Sequence, residues 1–147
     1  MGSDHGGYDL KEYVKSLLSE KGIPVEDVGS FSSDSCDYPD YGRLVADAVA
    51  SGKASNGILI CTSGIGMSIV ANRYAKVRAA LCYNRIAAEL SRAHNDANVL
   101  VMGSRFVEQS EAREIVSAFL ETEFEGGRHC RRVGKIEAIL NKEKTSS

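Results

Sequence analysis

An open parallel β-sheet with helices on both faces is the architecture this sequence predicts, and three observations point to it. Short β-branched apolar runs alternate with longer amphipathic segments along the 147 residues, the pattern of a layered α/β domain. One run, Gly57 to Cys61 (GILIC), is apolar without interruption, as a strand covered on both faces requires. The unusual residue clusters (SDHGG, CTSGIG and GSR) fall where such strands end, and sites in open α/β sheets lie at the carboxyl ends of strands.

The elements follow in order. Tyr8, Leu10, Tyr13, Val14, Leu17 and Leu18 recur at near-helical spacing, which predicts a helix over 8–20 stopped by Gly22. Pro24 to Val28 can form a short strand, and 29–39 is a polar loop rich in Ser and Asp. A helix is expected over 41–51, then the GILIC strand, a helix over 67–73, a strand over 77–82 (VRAALC) and a helix over 85–93. A strand over 97–102 (ANVLVM) and helices over 110–120 and 131–140 complete the domain, with a frayed tail at 142–147. Met1 to Ser3 is too short for the central strand that should precede SDHGG, so the first strand reads as truncated. The length fits one domain spanning 1–147.

Composition narrows the function classes. Hydrophobic residues make up 43%, charged residues 26%, and the formal net charge is -2, which argues against a general nucleic-acid or acidic-membrane binder. No apolar run approaches the roughly 18 residues of a membrane span, and the first ten residues do not form a signal peptide. Cys36, Cys61, Cys82 and Cys130 are scattered with no CxxC pair. Reduced thiols in a cytoplasm follow, without a disulfide framework or a structural zinc site.

The chemistry-bearing residues each carry two readings. In CTSGIGMS, Gly64 and Gly66 leave the backbone open for successive N–H groups to face an anion, with a helix start behind them. The same spacing also suits an ordinary tight turn, and it is neither a Walker A loop nor a full dinucleotide fingerprint. Cys61 stands at the lip of that turn. A free thiol is only a few per cent thiolate at neutral pH and a buried cysteine is commonly inert, so a reactive Cys61 needs electrostatic help from the turn. His5 follows Asp4 in a Gly-rich loop. His94 precedes Asn95 at a helix end, where a capping role is equally open. Arg128 and Arg132 lie four apart and clamp an anion together if the last helix begins early enough; a solvated basic end is the alternative. Arg105, just past a strand, is a third cation, and His129 between the arginines receives no role.

Taken together, SDHGG (3–7), DYPDYG (37–42), GILICTSGIGMSIVANR (57–73), SRAHNDANVLVMGSR (91–105) and FEGGRHCRRV (124–133) resemble the ribose-5-phosphate isomerase type B family, which includes galactose-6-phosphate isomerase subunits. The resemblance implies a Rossmann-like three-layer sandwich and an aldose-ketose isomerase acting on a small phosphorylated sugar through a cis-enediol. It implies no metal or organic cofactor, and a homodimer with active sites at the subunit interface; pairing into tetramers stays open. Carried over by position, Cys61 is the base, with His94 opening the sugar ring and Ser63 as a further catalytic residue. Asp4 and Asn95 bind hydroxyls. Thr62, Gly64, Ile65 and Gly66 belong to the anion-holding loop. His5, Arg105, Arg128 and Arg132 surround the phosphate, and Tyr38 lines the pocket.

One departure stands out. The family's loop reads Gly-Thr-Gly after the cysteine, whereas here it reads Thr62-Ser63-Gly64. A β-branched Thr62 is strained if its φ is positive, so either the backbone already accepts a side chain there or the loop shifts. Ribose 5-phosphate is the expected substrate. The alternatives are a six-carbon sugar phosphate such as galactose 6-phosphate or allose 6-phosphate, and a binding protein without turnover.

Overall fold

A computed structural model describes residues 1–145. Four parallel strands, β1 (Gly2–Ser3), β2 (Gly57–Cys61), β3 (Ala79–Leu81) and β4 (Val99–Gly103), lie in the order β1-β2-β4-β3. Six helices surround them: α1 (Tyr8–Glu20), α2 (Tyr38–Ala50), α3 (Ile65–Ala71), α4 (Arg85–Asn95), α5 (Gln109–Glu121) and α6 (Arg128–Thr145).

The uninterrupted apolar strands follow from two cores. Ile58, Ile60, Leu100 and Met102 pack on one face with Leu10, Val14 and Leu18 of α1 and Ile115 and Phe119 of α5. Their alternate neighbours Leu59, Cys61, Val99 and Val101 pack on the other face with Val45 and Val49 of α2 and Met67 of α3. Side chains alternate across a strand, so β2 and β4, covered on both sides, are apolar along their whole length.

The sequence placed most elements well, with several corrections: α2 begins at Tyr38, inside the expected 29–39 loop, and α3 spans Ile65–Ala71 rather than 67–73. No strand forms over Pro24 to Val28. Backbone over 28–30 instead bonds to β1: Val28 N–H to the Met1 carbonyl at 3.0 Å, Ser3 N–H to Gly29 O at 2.7 Å and Ser30 N–H to Ser3 O at 2.7 Å. β1 therefore ends the ladder with this segment outside it, rather than sitting mid-sheet. A cavity of about 550 Å³, lined by Met1, Ile23, Val25, Val45 and Ile58 among others, lies beside it. β3 is shorter than expected because it pairs only over Ala79 to Leu81. The last helix starts at Arg128 and continues past Leu140 to Thr145, beyond the expected start of the tail; residues 146 and 147 lie outside the described residues. No helix among the described residues is long and apolar enough to cross a membrane.

Candidate active site

Two clusters of candidate residues form, at opposite ends of the sheet. The first gathers at the carboxyl ends of β1, β2 and β4. Cys61 closes β2, opposite Gly103 at the end of β4, and is only 5% exposed. Its sulfur accepts the Gly64 N–H at 3.1 Å. Gly64 has φ +81°, a conformation that glycine adopts freely, and it turns the chain into α3. Ser63 Oγ accepts the Ile65 N–H at 3.2 Å. The Gly66 N–H belongs to the first helical turn, whose donors have no partner inside the helix. The Tyr38 ring lies against Gly66, where an added Cβ would meet it at 2.5 Å.

Neighbouring strands fix this loop. Ser104 N–H donates to Cys61 O at 2.9 Å and Arg105 N–H to Thr62 O at 3.0 Å, which sets Arg105 beside the turn. Tyr83 Oη donates to Ser63 O at 3.1 Å. Asp4 is buried and its Oδ1 accepts the Gly7 N–H at 3.0 Å. His5 is exposed, and its Nδ1 accepts the Cys36 N–H at 3.2 Å. Ser104 Oγ ties the loop of Asp4 and His5 to the end of β4 by donating to Gly6 O at 2.7 Å.

The backbone at Thr62 accepts its β-branched side chain. Among the described residues, Lys76 and Asp96 are the non-glycine residues at positive φ, so Thr62 carries no such strain. Its side chain is accommodated by Gly6 opposite, where a Cβ would stand 2.1 Å from Thr62 Oγ1.

The second cluster sits where α4 ends and α6 begins. His94 and Asn95 close α4, and Arg128 opens α6, which puts Arg128 and Arg132 one turn apart on a shared face. The residue that sequence reasoning left without a role, His129, proves central. It is 6% exposed and stacks on His94 with ring centroids 4.3 Å apart and planes 13° apart. Glu125 Oε2 lies 3.5 Å from His129 Nε2 and 3.9 Å from His94 Nε2, and Glu125 N–H bonds to Ala93 O at 3.0 Å. Burial, then the charges of His94, Arg128 and Arg132, hold His129 below the ordinary histidine value against the opposing pull of Glu125. The signal in the sequence was the helical spacing itself: a histidine inside an arginine pair, four residues after a glutamate.

His94, Glu125 and His129 are also the described group whose ligand atoms lie close enough to hold a metal, within 4.8 Å of one another. The rings are nearly parallel, however, so their in-plane lone pairs do not converge on one point. The adjacent arginines favour an anion instead.

A single chain does not unite the two clusters. β3 and β4 are parallel, so α4 between them must run back from the carboxyl end of β3 to the amino end of β4. That carries His94 and Asn95 to the end of the sheet away from Cys61. Arg128 and Arg132 go with them, since His129 stacks on His94.

The doubly covered parallel sheet, with a cysteine in a glycine turn at one end and a histidine-arginine cluster at the other, defines an α/β protein equipped for a small anionic metabolite. More specifically, the chain belongs to the ribose/galactose isomerase family, whose model matches residues 1–136. It is 49% identical to ribose-5-phosphate isomerase B of Escherichia coli over 138 residues, 94% of this chain and 93% of that protein. The solved ribose-5-phosphate isomerase B of Clostridium thermocellum superposes with a TM-score of 0.95 at 49% identity, covering 97% of this chain and 96% of that one. The Mycoplasma genitalium ribose-5-phosphate isomerase B with bound ribulose 5-phosphate gives a TM-score of 0.92 at 44% identity, covering 95% and 93%.

Proposed function

We propose that this protein interconverts ribose 5-phosphate and ribulose 5-phosphate with Cys61 as the base. The observation that carries the reading is the Cys61 sulfur at the mouth of the Gly64 turn, 3.1 Å from a backbone N–H, in a chain so similar to isomerases of that name. Cys61 removes the proton from C2 of the open-chain aldose. The electron pair forms the C1–C2 double bond, and the carbonyl oxygen at C1 becomes the enediolate oxygen. The N–H groups of the 62–66 loop stabilise that oxygen, with the Ser63 hydroxyl beside it. A proton passes from the C2 hydroxyl to the C1 oxygen, the C2 oxygen becomes the carbonyl as the double bond takes the proton back from Cys61 at C1, and the ketose forms without net change in atoms or electrons. Asp4 and Asn95 hold sugar hydroxyls, His94 assists ring opening, and Tyr38 lines the pocket. The phosphate lies among His5, Arg105, Arg128 and Arg132, and its binding energy orients the small sugar. No step requires a metal or an organic cofactor.

The working unit is a homodimer. Cys61, Asp4, His5, Tyr38 and Arg105 come from one copy, and His94, Asn95, Arg128 and Arg132 from the other. The separation of the two clusters supports this. So do large apolar side chains left exposed on α3 (Ile65, Ile69), α4 (Ile86, Leu90) and α6 (Ile136, Ile139), which suit burial against a second copy. The four free thiols fit a reducing cytoplasm.

Replacing Cys61 with Ala should abolish turnover while the fold, read by circular dichroism, persists; near-normal activity in C61A would remove Cys61 as base. Comparing kcat/KM for ribose 5-phosphate with galactose 6-phosphate and allose 6-phosphate tests the substrate. A clear preference for a hexose phosphate would overturn the pentose assignment.

A further inference from the structure

We propose that Lys11 and Asp27 form a positioning pair that holds Asp4 and His5 in place for substrate. The proposal rests on the reading of Asp4 and His5 as substrate-binding groups. Lys11 is fully buried, one of the largest such side chains among the described residues, and nothing in the proposed chemistry uses it. Desolvating an ammonium is costly, and an apolar side chain of similar length would fill the same space without that cost. The charge therefore calls for a reason beyond packing.

The hydrogen bonds supply one. Lys11 Nζ donates to Asp27 Oδ2 at 2.6 Å, and Asp27 Oδ1 accepts the Gly29 N–H at 3.0 Å. Gly29 O accepts the Ser3 N–H, and Ser30 N–H donates to Ser3 O, both at 2.7 Å. The next residues are Asp4 and His5. On the other side, Lys11 belongs to α1, and its own N–H donates to Gly7 O at 2.9 Å. Gly7 N–H in turn bonds to Asp4 Oδ1. Lys11 thus joins both flanks of the 3–7 loop. It also lies 5.7 Å from the Phe31 ring centroid, in the loop that brings the Cys36 N–H to His5 Nδ1. Lys15 Nζ adds a second bond to Asp27 Oδ2 at 2.9 Å.

The clamp acts beside the pairing of β1 with β2, Gly2 with Leu59 and Ser3 with Ile60. Beyond Ser3 the loop is held by Asp4 N–H to Ile60 O at 3.3 Å and by Ser104 Oγ to Gly6 O at 2.7 Å, and Asp27 adds a hold from the 28–30 side. Burial pushes the Asp27 carboxyl up, but hydrogen bonds from Lys11, Lys15 and the Gly29 N–H outweigh it and hold the group below the usual carboxylate value. Asp27 therefore stays anionic and keeps its grip on Gly29 at working pH.

The test removes both charges together, as K11M/D27L, so that no buried ion is left unpaired. Three properties are compared with the wild type: thermal midpoint, steady-state kinetics on ribose 5-phosphate, and amide hydrogen exchange. The expected result is a near-normal midpoint, a KM raised about tenfold and kcat changed much less. Exchange should accelerate at residues 3–7 and 29–30 while β4 is unaffected. Wild-type KM together with wild-type exchange at 3–7 in the folded double variant would overturn the proposal. If the double variant does not fold, D27N and D27A take its place. D27N keeps an oxygen for the Gly29 N–H and D27A does not, so KM should rise more in D27A, and equal KM values would overturn the pair's role. A wild-type protein inactive on every sugar phosphate would instead refute the functional reading, and the exchange comparison would still decide whether Lys11 and Asp27 hold the loop.

Discussion

Replacing Gly103 with Ala tests the catalytic loop with a single methyl group. A Cβ at Gly103 would stand 2.3 Å from Ser63 O, 2.5 Å from its carbonyl carbon and 3.0 Å from its Cα, where ordinary contact begins at 3.4 Å. These atoms are backbone, so no side-chain rotation relieves the overlap. The Ser63 peptide must retreat by about 1 Å, and a misplacement of that size costs about 100-fold in rate. The retreat strains the bonds that fix the loop, Arg105 N–H to Thr62 O at 3.0 Å and Tyr83 Oη to Ser63 O at 3.1 Å. Overpacking itself destabilises by about 1–3 kcal/mol, which lowers the melting midpoint of a chain this size by roughly 4–10 °C. The assay is ribulose 5-phosphate formation at a temperature where circular dichroism shows the variant folded. A folded G103A with kcat/KM within threefold of wild type would mean that the loop's position does not control the rate.

Gly6 and Thr62 should behave as a coupled pair. G6A should lower stability and activity, the added T62G should restore much of both, and additive effects would contradict the contact. His129 should make stability sensitive to acid. Its folded-state value lies below that of the unfolded chain, so between the two values the unfolded chain binds a proton that the fold refuses. Urea midpoints should accordingly fall as pH drops from about 7 through the ordinary histidine value near 6.5, and H129N should flatten that dependence. Burial pushes the Cys82 thiol up to about 11 against a hydrogen bond from Ser91. Native alkylation at pH 8, read by peptide mass spectrometry, should therefore label exposed Cys130 and spare Cys82.

The parts of this molecule that were legible in the sequence are those governed by local physics. GILIC and VLVM declare doubly covered strands because each face of the sheet demands apolar residues. The apolar spacing of α1 located that helix residue for residue. The glycine turn after Cys61 was visible as a turn, and the spacing of Arg128 and Arg132 correctly made their shared face conditional on an early helix start. What stayed hidden depends on contacts between distant segments. The 28–30 backbone pairs with β1 without forming a regular strand, so no period-2 pattern marks it. The fit of Thr62 depends on Gly6, 56 positions earlier in the chain, and the partner of the buried Lys11 is Asp27 beyond the end of α1. His129 looked like one more polar residue in a basic run, because its burial and its stacking on His94 exist only once α4 and α6 meet.

The separation of the two clusters allows a decisive test of the homodimer. C61A removes the base from one cluster and H94N removes the ring-opening histidine from the other, so each homodimer should be nearly inactive. In a mixed dimer, the copy with intact Cys61 meets the copy with intact His94 at one of its two sites, while the other site carries both lesions. Random reassortment makes half the dimers mixed, each with one working site in two, so the mixture should recover about a quarter of wild-type specific activity. If each site were built from one chain, every site would carry a lesion and mixing would restore nothing. Recovery therefore requires that Cys61 of one copy works with His94 of the other. Continued inactivity, with subunit exchange verified by mass-tagged chains, would refute the shared site.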